Sequence, residues 1–126
     1  MVKPSYKDNW SIPGGIVETN ESPYNACLRE TLEEIGINIK IKKLLAVIYQ
    51  KHQELNDESI QFHFLGQSIS NIQIRKIRLQ KDEIEDFKFV NIKDIPKYNE
   101  ALGKKASRYL KLIKGNGKNN YFEERF

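Results

Sequence analysis

Between positions 23 and 35 the apolar residues fall at Ala26, Cys27, Leu28 and Leu32, the three-to-four-residue rhythm of a helix buried along one side. Ser22-Pro23 supplies its start, because Ser caps free amides and Pro at the first helical position gives up no needed N–H. Gly36 stands where a left-handed C-cap belongs. Further along the rhythm shortens to two. Ile37, Ile39 and Ile41 alternate with polar residues, 44–49 is a continuous apolar run, and Ile60, Phe62 and Phe64 alternate again. Ile72 with Ile74, and the stretch 87–90, extend the same pattern, so four or five strands are expected. A second helix is predicted over residues 99–113, with Leu102, Ala106, Tyr109, Leu110 and Ile113 on one face. Strands and two helices out of strict alternation predict an α/β or α+β sandwich. One domain is expected over residues 1–114, followed by a tail over 115–126 whose first six residues read as loop. Tyr121, Phe122 and Phe126 in that tail are expected to pack back or meet a neighbour.

Composition narrows the class. A chain of 126 residues can bury one core without staples. The single Cys27 excludes a disulfide framework and a Cys-rich zinc module. No apolar run is long enough for a membrane span and no signal pattern opens the chain, so a reduced, soluble, cytoplasmic protein is expected. Lys plus Arg at 21 against Asp plus Glu at 17 gives a net charge of +4, which suits an anionic ligand. The basic stretch around Arg75, Lys76 and Arg78 raises a nucleic-acid role, but no RNA-binding or helix-turn-helix signature accompanies it. It reads as a solvated face.

The acidic side of the first helix carries the chemistry. Glu30, Glu33 and Glu34 are three and four positions apart and project from one side, with Arg29 beside them and Glu21 just before the helix. Two carboxylates about 5 Å apart in an effective dielectric near 20 repel by roughly 3 kcal/mol. Lysines usually relieve such a stripe, yet none occurs between residues 8 and 39. Taken alone, three glutamates are best read as a solvated stripe near a positive helix terminus. The residues just before them, Trp10-Ser11-Ile12-Pro13-Gly14-Gly15, form a strand end and a tight turn that lets the backbone approach a ligand closely. With that turn alongside, a hard divalent cation such as Mg²⁺, shared between carboxylates and substrate phosphates, becomes the better reading.

From Gly15 the chain runs Gly, five residues, Glu21, seven residues, Arg29-Glu30, two residues, Glu33-Glu34, one residue, Gly36 and Ile37. This resembles the 23-residue Nudix box, with Thr31 in place of the usual aliphatic residue as one mild departure. The preceding Trp-x-x-Pro-Gly-Gly is also typical of the family. The resemblance is strong over residues 10–37 and looser to about Tyr98. It implies an α/β/α sandwich with a mixed sheet, and Mg²⁺- or Mn²⁺-dependent hydrolysis of a phosphoanhydride in a nucleoside diphosphate-linked substrate. Nucleoside triphosphates, ADP-ribose and nucleotide sugars all fit that class. By the same resemblance Glu33 and Glu34 are metal ligands, Glu34 the principal one. Glu30 is a ligand or orients the attacking water, and the Gly14 carbonyl is a further ligand. Arg29 braces the array, or alternatively binds phosphate directly, and Glu21 is a motif carboxylate near the metal or bracing the loop. A general base is often supplied before a late strand, which points to Glu83, with Glu85 second.

His63 alternates with Phe62 and Phe64, so it lies on the opposite strand face and is a candidate for the substrate cleft; a structural histidine is the simpler reading for it and for His52. Trp10, Tyr6 and Tyr49 are candidates for stacking on a base, although aromatics in a small domain more often fill the core. Only 13 residues precede Gly14, where the family usually has some tens. The expectation is a chain short of an N-terminal strand, with Val2-Lys3-Pro4 as its remnant. The resulting edge could be filled by the C-terminal segment, by strand exchange or by a partner in a homodimer. A shortened domain also raises the alternative of a non-catalytic nucleotide-binding or regulatory module.

Overall fold

The computed structural model describes residues 1–125; Phe126, named above as a packing residue, lies outside the described residues. The elements in chain order are β1 (Val2–Pro4), α1 (Pro23–Ile35), β2 (Ile41–His52), β3 (Asp57–Gly66), α2 (Asn71–Arg75), β4 (Ile84–Phe87), a 3₁₀ turn (Ile92–Lys97), α3 (Glu100–Ile113) and β5 (Tyr121–Arg125). β2 and β3 form an antiparallel ribbon, and β5 runs parallel to β2 on its other side, so the sheet β3-β2-β5 is mixed. β1 pairs antiparallel with β4 in a separate two-stranded sheet, and Val2 bridges to Ser11 at the entrance to the glycine turn. The C-terminal residues therefore make an intramolecular strand.

Two helices cover opposite faces of the mixed sheet. Tyr24 of α1 meets Phe64 edge-to-face at 6.1 Å, whereas Tyr109 of α3 meets His63. Adjacent residues on a strand point to opposite faces, so these two contacts place the sheet between the helices. The core under α3 is Leu45, Ala46, Ile48, Tyr109 and Leu112, with Phe122 of β5 packed against it. Leu45 and Ala46 are buried side by side because the β2–β3 register slips between Leu44 and Ala46.

α1 follows its sequence signals. Ser22 accepts from Asn25 N–H, Pro23 opens the helix, and Gly36 closes it at φ 72° with its N–H on the Leu32 carbonyl. Beyond Gly36 the chain packs so closely that an added methyl would lie 2.8 Å from the Arg78 carbonyl. Gly36→Ala should therefore destabilise the fold by about 2 kcal/mol, through both left-handed strain and that clash, and urea unfolding should show it as a lowered midpoint.

Several expectations need correction. Ile72 and Ile74 lie in a short helix, because Ser70 and Gln73 form a reciprocal capping box that outweighs a two-residue alternation. Ile37 and Ile39 lie outside any strand, and the strand begins only at Ile41. The late strand is 84–87 and not 87–90, since pairing with β1 begins at Ile84. On α3 it is Leu112 that is buried, while Ile113 is largely exposed, because the inward face steps by three from Ala106 to Tyr109 to Leu112. No helix among the described residues is long and apolar enough to cross a membrane.

Candidate active site

The turn before α1 and the acidic side of α1 close on each other. The Gly14 N–H donates to Glu34 Oε2 at 3.1 Å. Glu30 presses against Gly15 so tightly that a Cβ there would lie 2.5 Å from its carboxyl carbon. A side chain at position 15 would displace the Glu30 carboxylate from this place, while the positive φ of Gly14 favours glycine in its own right. Arg29 ties the rest together. Its Nε and NH2 donate to the two Glu21 oxygens, both at 2.9 Å, and NH2 also reaches the Ile16 carbonyl. Its NH1 donates to Glu30 Oε1 at 2.8 Å and Glu33 Oε2 at 3.1 Å. The hydrogen bond from Arg29 holds the Glu21 carboxyl below the ordinary range, and Glu21 with Glu30 raises the guanidinium further above its own. Thr31, the one departure in the box, is buried and donates to the Cys27 carbonyl, so its hydroxyl is satisfied.

Glu34 differs from its neighbours. It is 8% exposed and forms no ion pair among the described residues. Burial pushes its carboxyl up to about 7, the Gly14 N–H and the Lys7 charge oppose this, and the Glu30 and Glu83 charges add to it. Glu83 is thus placed near Glu34 by the fold. The turn that carries it is seated on the end of α1 by hydrogen bonds from Gln80 N–H to the Glu34 carbonyl and Arg78 N–H to the Ile35 carbonyl. Glu85, the second candidate, points to Lys3 at 4.0 Å and is exposed.

The donor set fits a hard divalent cation. It is all oxygen, it holds a buried carboxylate that is in no ion pair among the described residues, and its glycine cradle admits the Glu30 carboxylate. Among the described residues no three His, Cys, Asp or Glu side chains already surround one point. Arg29 instead balances Glu30 and Glu33, so those two side chains would turn from Arg29 toward an ion. Its engagement with three carboxylates and a carbonyl favours the bracing role over direct phosphate binding.

A cleft of about 560 Å³ opens beside the glycine turn, between Ile12, Ile16 and Val17 on one side and β3 residues 59–63 on another, with Pro23, Ala26 and Cys27 of α1 between them. His63 and Gln61 belong to its wall. Trp10 does not; it packs edge-to-face on Tyr98 at 6.0 Å, with Lys88 Nζ 4.7 Å from both rings. Tyr6 is exposed and Tyr49 donates to Glu58, and neither lines the cleft. His52 ends β2 opposite Asp57. The apolar loop residues Ile16 and Val17 carry no periodic signal in the sequence, whereas Ile60 joins the wall from the alternating strand β3.

Comparison with known proteins agrees with this arrangement. A family model described as NUDIX domain matches residues 1–112. The human diphosphoinositol polyphosphate phosphohydrolase 3-alpha is 44% identical over 45 residues, covering 36% of this chain and 27% of that protein. The rat diphosphoinositol polyphosphate phosphohydrolase 2 is 45% identical over 42 residues, 33% of this chain and 24% of that protein. The matched stretch thus spans about a quarter of the length of these relatives. A crystal structure of UDP-X diphosphatase superposes with a TM-score of 0.69 at 25% identity, covering 96% of this chain and 58% of that one.

Proposed function

The chain belongs to the Nudix family, and from that premise we propose that it hydrolyses a phosphoanhydride bond in a nucleoside diphosphate-linked substrate with Mg²⁺ or Mn²⁺. The observation that carries this reading is Glu34, buried on the N–H of Gly14 and in no ion pair among the described residues. Glu34, Glu33, Glu30 and the Gly14 carbonyl would hold the cation, which supplies charge neutralisation for the phosphates and a more acidic water. Arg29 and Glu21 keep the glutamates and the loop in register. Glu83 is the candidate base. As a water oxygen bonds to phosphorus and the bridging P–O bond breaks, a Glu83 carboxylate oxygen takes the proton that the water loses. Residues 1–114 form the catalytic unit in this reading, and the tail appends the strand Tyr121–Arg125, which pairs with β2.

The relatives' names offer two substrate classes, and the cleft favours one. Among the described residues lining it there is no Lys, Arg, Asp or Glu. An inositol polyphosphate is best met by several cationic side chains, and among the described residues lining the cleft and the hollow that adjoins it at His63 only Lys105 is one. A nucleoside suits apolar sides with neutral hydrogen-bonding groups. Hydrolysis assays with a nucleotide sugar, ADP-ribose, a nucleoside triphosphate and a diphosphoinositol polyphosphate, each with Mg²⁺ and Mn²⁺, test both points. The expected result is cation-dependent turnover, with kcat/KM at least tenfold higher on a nucleoside substrate. Preference for the inositol compound would refute the substrate class. Nucleotide binding without turnover under either cation would instead support a non-catalytic module.

A further inference from the structure

His63 sits at the end of a hydrogen-bond chain that reaches across the sheet to β5. Tyr109 Oη lies 2.7 Å from His63 Nδ1, and His63 Nε2 lies 3.3 Å from Gln61 Oε1. Gln61 Nε2 donates to Gln50 Oε1, and Gln50 Nε2 donates to Glu124 Oε2 at 3.0 Å. Lys105 Nζ at 2.8 Å and Arg108 NH1 at 3.2 Å complete the shell around Glu124. Burial pulls the Glu124 carboxyl up, but hydrogen bonds from Lys105 and Gln50 outweigh it and hold the group below its ordinary range.

A carboxylate can only accept, and that fact orders the whole chain. Gln50 must turn its NH₂ toward Glu124 and its carbonyl toward Gln61. Gln61 must then turn its NH₂ toward Gln50 and its carbonyl toward His63. The nitrogen facing that carbonyl must be a donor, so Nε2 carries the hydrogen. Burial keeps the imidazole neutral, pushing its pKa down to about 4. Nδ1 is then the acceptor, and the Tyr109 hydroxyl, whose own ionisation burial pushes upward, donates to it.

We propose that Glu124 is a positioning residue that acts through Gln50 and Gln61 to hold His63 in its Nε2–H tautomer, so that the hollow His63 lines with Ser11, Gln61, Leu102 and Lys105 on the α3 side, which adjoins the cleft at Ile12, Gln61 and His63, offers a fixed hydrogen-bond donor to an uncharged oxygen of the substrate. His63 becomes a specificity-determining residue, selecting a carbonyl or hydroxyl oxygen over an amino group at that position. The 3.3 Å separation from Gln61 is long for such a bond, which leaves the Nε2–H open to sharing with a better acceptor. This rests on the cleft and its adjoining hollow being the substrate site, as in the hydrolase reading, but the tautomer itself does not.

Imidazole ¹⁵N NMR of the full chain tests the tautomer without substrate. The expected wild-type signature is a protonated Nε2 and an unprotonated Nδ1 on His63. Glu124→Gln lets every amide in the chain reverse, and the spectrum should move to a mixture of both tautomers. Gln50→Met breaks the chain at its middle while leaving Lys105 and Arg108 on Glu124, so it serves if the first variant fails to fold. An Nδ1–H wild type, or an unmoved spectrum in Gln50→Met, overturns the tautomer assignment. For specificity, Gln50→Met should raise KM about tenfold on the best nucleoside substrate, with a smaller change in kcat. A shifted tautomer with an unchanged KM overturns the substrate-reading role. Absence of turnover in the wild type would instead refute the hydrolase reading and leave the tautomer result standing.

Discussion

Glu34→Gln should lower kcat on the order of 10³-fold or more, about 4 kcal/mol of transition-state stabilisation, while leaving the folded protein at least as stable as wild type. The two halves of that result have one cause. Glu34 is buried against Gly14 among like charges, and its carboxyl is lifted to about 7. A folded pKa above the unfolded value means that the protonated form is the one the fold prefers. Its contribution to stability is complete below about pH 4.5 and is lost as pH rises through 7. Gln is neutral at every pH and can still accept from the Gly14 N–H through Oε1. In chelator-treated buffer at pH 8 the variant should therefore melt a few degrees above wild type, by about 1–2 kcal/mol after allowance for solvent screening, and the advantage should vanish near pH 4.5. Excess Mg²⁺ should raise the wild-type melting temperature and affect the variant much less. Assays and melting curves on the same preparations check all of this. Full turnover in the variant would exclude Glu34 as the principal ligand. A large loss of stability would mean that the carboxylate serves the fold and not a cation.

That separation of stability from activity explains which parts of the molecule could be read in advance. α1 was legible because its signals are local: Ser22, Pro23 and Gly36 each act within one turn of their own position. The carboxylate array was legible for the same reason, since a run of like charges without lysines conflicts with ordinary surface design. What sequence spacing cannot show is that Glu34 turns inward to Gly14 while Glu33 stays at the exposed side with Arg29, because that depends on where the loop folds back. At Ile72 and Ile74 two kinds of local signal compete, and the capping box of Ser70 and Gln73 outweighs alternation. Gln61 shares a strand face with His63, but the rest of its hydrogen-bond chain is non-local. Tyr109 lies 46 positions away, and Gln50 and Glu124 are 74 apart, so only the tertiary arrangement brings them together. β5 is equally non-local, since its pairing with β2 joins 47–51 to 121–125.

Arg29→Ala should be the most destabilising single change in the motif, and divalent cations should partly reverse it. The guanidinium serves Glu21 with two hydrogen bonds, Glu30 and Glu33 with one each, and the Ile16 carbonyl with another. Truncation leaves three carboxylates crowded around an empty position, two of them with side chains only 15% and 16% exposed. Removing the guanidinium leaves like charges facing one another, so a clearly lowered urea midpoint is expected, moderated by the half-exposed Glu33 and by solvent screening. Arg29→Lys should recover little, because one ammonium cannot span Glu21 bidentately and still reach Glu30 and Glu33. Mg²⁺ or Mn²⁺ should raise the melting temperature of Arg29→Ala by more degrees than it raises that of wild type, since the freed glutamates no longer compete with an internal cation. The kinetic signature follows from the same geometry. With Glu30 and Glu33 unbraced, kcat should fall by 10²-fold or more while the apparent affinity for the cation is maintained or improves. A variant that keeps wild-type kcat would show that the glutamates find their working positions without Arg29. One that loses substrate affinity with little change in stability would instead assign the guanidinium to phosphate.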